Sequence, residues 1–158
     1  ISVDCGVYKN GFHGDHAYSF KIGEVASEVS KLLRITKESL YVGIEEAKTG
    51  NRIGDIGFAI QNYVQKDGYS VVRELTGHGI GKQLHEDPFI VNFREMSPGP
   101  VLKAGMTFAI EPIVAMGDSQ IITLNDHWTI VTADKMPACQ WEHTVLVTKN
   151  GAEVLTKR

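Results

Sequence analysis

The chain has 158 residues, a formal net charge of -3 and 42% hydrophobic residues, enough to bury a sizeable core and giving no electrostatic reason to expect nucleic acid as a partner. Its two cysteines, Cys5 and Cys139, form no CxxC pair, which argues against a disulfide scaffold or a cysteine-type zinc module and suits a reducing compartment. No apolar run approaches the roughly 18–20 residues of a membrane span, and no signal-peptide pattern opens the chain.

Residues 1–8 alternate, with Ile1, Val3, Cys5 and Val7 on one face and Asp4 on the other. Lys9-Asn-Gly11 is a turn signal and residues 12–20 read as a second strand, so residues 1–20 are expected to form a hairpin. With Asn10-Gly11 as a two-residue turn, Gly6 opposes Asp15 and Asp4 opposes Ala17. Asp4 and Asp15 then share a face, close enough to reach one metal, whereas a bulged three-residue loop would change the register. The strand starts at residue 1 with no initiator methionine and no lead-in, as a truncated or processed chain would.

Residues 24–48 carry apolar side chains at helical spacing: Val25, Val29, Leu32, Leu33, Leu40, Val42, Ile44 and Ala47. Thr49-Gly-Asn51 ends that helix, and a second spans about 53–67 with Ile53, Ile56, Ala59, Ile60 and Tyr63 inward. Thr76–Pro88 places His78 on a glycine-rich turn and His85 just beyond it; residues 86–105, with Pro88, Pro98, Gly99, Pro100 and Gly105, read as an irregular loop. Strands are expected at 70–74, 106–115, 120–124, 128–132, 138–148 and 152–155. The order predicts one α+β domain over residues 1–158, with helices on one face of a curved antiparallel sheet.

Charges in that framework stand out where the strands are apolar. Glu111 interrupts Met106–Ala115 and is followed by Pro112, which cannot donate to a ladder and marks an edge or irregularity. Glu142 precedes the run Thr144–Thr148. Each is a metal ligand or half of an ion pair with Lys or Arg; Asp4 is a ligand or a solvent-facing residue, and Asp15 a ligand or part of a turn. Gly77, Gly79 and Gly81 allow close approach and positive φ around His78 but lack the spacing of a P-loop or a dinucleotide fold. His16, His127 and His143 read as structural or surface residues. Four carboxylates and one imidazole suit a hard or borderline divalent ion.

The order Asp4, Asp15, His78, Glu111, Glu142 resembles the five-ligand dinuclear site of the pita-bread metallopeptidases and, more narrowly, type I methionine aminopeptidase. The resemblance is carried by Val3-Asp-Cys5, Gly11-Phe-His-Gly-Asp15, Gly77-His-Gly-Ile-Gly81, His85-Glu-Asp-Pro88, Phe108-Ala-Ile-Glu-Pro112, Trp128-Thr-Ile130 and Glu142-His-Thr144. Prolidase-like relatives usually carry Glu-Pro-Gly at the fourth ligand, where this chain has Glu111-Pro-Ile113.

The resemblance implies a pita-bread fold, incomplete at its N-terminus, holding two divalent ions: cobalt, manganese or iron(II), with zinc possible. Asp15 and Glu142 would bridge the ions, His78 and Glu111 complete one shell, and Asp4 complete the other. Glu111 would also shuttle a proton, and His85 would donate to the scissile carbonyl. Leu84 stands where many members carry an aromatic pocket residue, and Trp128 is either a pocket wall or a core tryptophan. His16-Ala-Tyr18 follows the second aspartate where the family commonly has Thr-Ser. The implied activity is removal of N-terminal methionine from nascent polypeptides by a cytoplasmic monomer, with the ribosome a further candidate partner and no membrane or nucleic-acid binding of its own. A same-fold aminopeptidase of Xaa-Pro type, or an inactive truncated or binding form, stays open. The family's N-terminal half-domain, source of another histidine and much of the methionine pocket, has no counterpart in this sequence, so an unpaired sheet edge is expected.

Overall fold

The computed structural model describes residues 1–157. It opens with four short strands, β1 (Ser2–Asp4), β2 (Val7–Lys9), β3 (Phe12–Gly14) and β4 (Ala17–Ser19). Asn10 and Gly11 both take positive φ, +54° and +87°, which is the two-residue hairpin turn an Asn-Gly pair favours. Val7 pairs with Gly14 in β2–β3, Asp4 pairs with Ala17 in β1–β4, and the unbroken register sets Gly6 against Asp15 as expected. The apolar residues of β1 to β3 face solvent, with Ile1 74% and Val7 57% exposed, whereas Ala17 in β4 is buried. β1 pairs with β4 alone, leaving its other edge open.

Helix α1 (Ser27–Glu46) and helix α2 (Ile53–Gln65) follow, the first shorter at both ends than its apolar spacing suggests. Leu32, Ile35, Thr36, Ser39, Leu40, Gly43 and Ile44 form its buried stripe. The stripe of α2 is Ile53, Ile56, Gly57, Ile60 and Val64, so Gly57 and Val64 are the buried positions where Ala59 and Tyr63 were expected. At the start of α2 the Asp55 carboxylate accepts the Arg52 N–H at 2.7 Å, satisfying one of the free donors of the first turn. The helices meet at Gly43, where a Cβ would lie 2.7 Å from two carbons of Ile60.

The remaining strands are β5 (Ser70–Val71), β6 (Gly77–Gly79), β7 (Glu86–Ile90), β8 (Thr107–Ile110), β9 (Ile113–Ala115), β10 (Ile121–Thr123), β11 (Ile130–Thr132), β12 (Ala138–Gln140), β13 (His143–Thr148) and β14 (Gly151–Val154). Every pairing is antiparallel. A five-stranded sheet runs β14-β13-β8-β6-β7 and a three-stranded one β12-β9-β5. Both helices pack against strands of both sheets. Leu40, Ile56, Ile60, Phe108, Ile110 and Val145 are fully buried in the shared core; each such side chain contributes about 1.5–3 kcal/mol by leaving water.

Two expectations are corrected. Gly77–Gly79 is a buried strand, and its glycines serve close approach between strands: a Cβ on Gly77 would collide with the carbonyl oxygen of Ala109, one on Gly79 with that of Asp87, and neither has positive φ. Residues 86–90 are a strand within the expected loop, because β7 is an edge strand, where proline is tolerated.

The expected strands 106–115 and 138–148 each break in two, at Glu111-Pro112 and Trp141-Glu142. Ile110 pairs with His143 on one side of the breaks, and Ile113 with Gln140 on the other. The chain thus passes from one sheet to the other twice at the same level, and each crossing carries a glutamate.

Candidate metal centre

Of the five expected ligands three meet at that level, with Glu111 beside His78 and Asp4 tied to the group through Gln140. Asp15 lies between β3 and β4, His78 within β6, Glu111 and Glu142 in the paired breaks, and Asp4 at the end of β1. Asp15, His78 and Glu142 offer ligand atoms all within 4.8 Å of one another. His78 Nε2 stands 3.6 Å from Glu111 Oε1 and 3.9 Å from Asp15 Oδ2. Gln140 closes the group: its amide donates to Asp4 Oδ2 at 3.1 Å and Glu111 Oε2 at 3.3 Å.

His78 is set up as a neutral ligand. Its Nδ1 lies 2.9 Å from the carbonyl oxygen of Gly79, which can only accept, so Nδ1 carries the proton and the Nε2 lone pair faces the carboxylates. Burial is the main cause that lowers its pKa, keeping the ring uncharged.

The carboxylates lack cationic partners of the lysine or arginine kind among the described residues. Glu142 is 1% exposed, and neither of its oxygens has a hydrogen-bond partner. Among the described residues none of the four carboxylates is paired with lysine or arginine, which removes the ion-pair alternative. Burial first, and then the charges of Glu111, Asp15 and Asp4, push Glu142 up to about 10. Burial followed by Asp4 and Asp15 pushes Glu111 up to about 8, and burial with Asp4 raises Asp15. Without a cation Glu111 and Glu142 hold protons at neutral pH. An unpartnered buried carboxylate beside three others is the donor set that divalent cations fit.

A cavity of about 550 Å³ opens onto the centre, walled by His78, His85, Phe89, Glu111, Ile113 and Gln140 among others. His85 is exposed to it and stands edge-on to His78, with ring centroids 4.3 Å apart. A second, more apolar cavity of about 680 Å³ adjoins it through Leu75, Ile113 and Gln140.

The structure does not bring Leu84 or Trp128 to the cavity. Leu84 is half-buried with its methyl groups over the backbone of Gly6, so its side chain is spent on the hairpin. Trp128 is 86% exposed, beyond a turn between β10 and β11 in which Asp126 accepts the backbone N–H groups of Trp128 and Thr129. It is neither a core residue nor a wall of the site here. Gln140 and Phe89 were missed; Gln140 lies two residues before Glu142 on the same strand run, a same-face spacing that could have flagged it.

Residues 1–149 match metallopeptidase family M24. The chain belongs to that family. It is 51% identical over 156 residues to the methionine aminopeptidase of Clostridium perfringens, an alignment covering 99% of this chain and 63% of that protein. The crystal structure of methionine aminopeptidase from Thermotoga maritima superposes with a TM-score of 0.96 at 44% identity, covering 99% of this chain and 63% of that one. Prolidase from Pyrococcus furiosus gives 0.78 at 26% identity, covering 99% and 41%. The M24 chain described here therefore spans less than two thirds of the methionine aminopeptidases it matches, and its antiparallel α+β architecture is that of the pita-bread fold.

Proposed function

We propose that this chain carries the catalytic part of a metalloaminopeptidase that removes the N-terminal methionine of newly made polypeptides. The observation that carries the reading is Glu142: a buried carboxylate with two unpartnered oxygens, grouped with three more carboxylates and a neutral imidazole, with no lysine or arginine paired to it among the described residues. Cobalt, manganese or iron(II) suits this donor set, with zinc possible.

In this reading Asp15 and Glu142 would be the carboxylates common to two ions, His78 and Glu111 would hold one of them, and Asp4 the other. When bound, such a pair lowers the pKa of a water and polarises a peptide carbonyl. Glu111, 3.6 Å from His78 Nε2 and lining the cavity, is placed to take the proton of the attacking water and return it to the leaving amine. His85, on the cavity side of His78, donates to the scissile carbonyl oxygen as it gains charge. Gln140 holds Asp4 and Glu111 apart at a fixed spacing through its two amide hydrogens. The proposed setting is the cytoplasm, with nascent N-termini as substrates and the ribosome that carries them as a further partner; no helix of the described residues is long and apolar enough to cross a membrane.

Titration of the metal-free chain with Mn(II) at neutral pH, together with hydrolysis of Met-Ala-Ser and of a Xaa-Pro dipeptide, tests the reading. Two bound equivalents and release of methionine are expected. Failure to bind metal would overturn the site, and faster cleavage of the Xaa-Pro substrate would overturn the specificity.

A further inference from the structure

We propose that His16 is a positioning residue that holds Asp15 and Glu142, the two carboxylates assigned above to both ions, at the spacing the second ion requires. The proposal rests on that dinuclear reading.

Glu142 cannot be aimed by its own side chain, because neither carboxylate oxygen has a hydrogen-bond partner. Its direction is set by the backbone on either side, and that backbone lies in the break between β12 and β13, outside the sheet ladder. Two contacts hold it there. Its N–H donates to the carbonyl of Ala17 at 3.0 Å, and its own carbonyl lies 2.5 Å from Nδ1 of His16. A carbonyl only accepts, so His16 Nδ1 carries the proton and donates. The backbone N–H of the same residue donates to Asp15 Oδ1 at 3.0 Å. One residue therefore fixes the main chain of one shared carboxylate and the side chain of the other.

The ring of His16 is itself held. It stacks on His143 with centroids 4.7 Å apart and an interplanar angle of 11°. His143 is pinned at both nitrogens, Nδ1 at 2.9 Å from Thr156 Oγ1 and Nε2 at 3.2 Å from Tyr41 Oη. Thr144 clips the same two segments together: its hydroxyl accepts the Asp15 N–H and donates to the Asp15 carbonyl, each at 2.9 Å. His16 is not in the group whose ligand atoms converge, and its Nδ1 is engaged by the Glu142 carbonyl, so it acts on the centre through Asp15 and Glu142.

Two properties of the ring can be separated: the Nδ1–H donor and the flat face against His143. His16→Asn keeps a donor at the position of Nδ1 and loses the stack; His16→Phe keeps the stack and loses the donor; His16→Ala loses both. The test is Mn(II) titration of the metal-free chain, following the second equivalent by calorimetry and by the spin-coupled signal that two neighbouring Mn(II) ions give in electron paramagnetic resonance. His16→Ala and His16→Phe should weaken the second ion by about 10–100-fold, the usual effect of removing a partner that orients a ligand. His16→Asn should retain the coupled signal and near-native affinity. Native binding by His16→Phe, or equal loss in His16→Asn and His16→Ala, would overturn the donor role and leave packing as the whole effect. If His16→Ala does not fold, the other two variants still decide. If the unsubstituted chain takes up no second ion, the dinuclear reading itself falls, and the proposal with it.

Discussion

His85 stands edge-on to His78, yet the proposed reading gives them different work. His78 is 5% exposed with its Nδ1 committed to a backbone carbonyl, whereas His85 is open to the cavity. His85→Ala should therefore lower kcat by about 10²–10³-fold, the scale of losing a donor to a developing oxyanion, while bound metal stays at the native stoichiometry. Loss of metal in that variant would make His85 a ligand and reverse the assignment. Glu111 and Glu142 were legible as candidate ligands because a bare carboxylate in an apolar strand is costly and calls for a partner, whereas Asp4 and Asp15 joined the set only through the family resemblance. Gln140 was not legible, since a neutral amide gives no such signal. His16 was passed over as structural for a related reason: its role depends on a carbonyl 126 residues away, which no local pattern reveals.

Among the elements, the hairpin was readable to the residue because alternation and Asn-Gly turn chemistry are both local and agree. The strand at Gly77–Gly79 was not, since glycine is a poor strand former and what places it there is the close approach of β7 and β8 on either side. The helices were found from their apolar spacing, but Gly43 shows what spacing leaves out. It sits on the buried stripe of α1 as the point of closest approach to Ile60 in α2. Gly43→Ala should destabilise the chain by about 1–3 kcal/mol through overpacking, even though alanine is the better helix former. In an Ile60→Ala background the same change should be neutral or stabilising, so a double-mutant cycle of denaturant unfolding would show strong coupling. Additive effects would mean the helices do not meet there.

For the molecule as a whole, the acids of the centre make metal-free stability fall as pH rises. Glu111 and Glu142 titrate near 8 and 10 when folded, against 4.5 without the surrounding structure, so the folded chain binds more protons than the unfolded one across that interval. Their contribution is complete below about 4.5 and is lost as pH passes through 8 towards 10. His143, lowered to about 4 mainly by burial, works at the other end: it favours the fold above about 6.5 and is lost as pH falls through 4. Above pH ~6.5 the histidine effect is spent while the carboxyl effect persists. Thermal unfolding after chelation should thus show a Tm that declines from about pH 7 to pH 9, and Mn(II) should raise it most at the alkaline end, where ions need displace fewer protons. Glu142→Gln should flatten the decline and abolish the alkaline gain from Mn(II). A Tm independent of pH after chelation would contradict the buried, unpaired state of these acids.

The paired breaks at Glu111 and Glu142 also form a seam between the two sheets. β8 hands over to β9 where β12 hands over to β13, so no strand of this pair carries the ladder continuously from one sheet to the other. Across the seam the Trp141 N–H still reaches the Pro112 carbonyl at 3.4 Å, and both helices span the two sheets. In the proposed reading a cation held by the acids would add a further tie there, so charge balance at the centre and continuity between the sheets would rest on the same side chains.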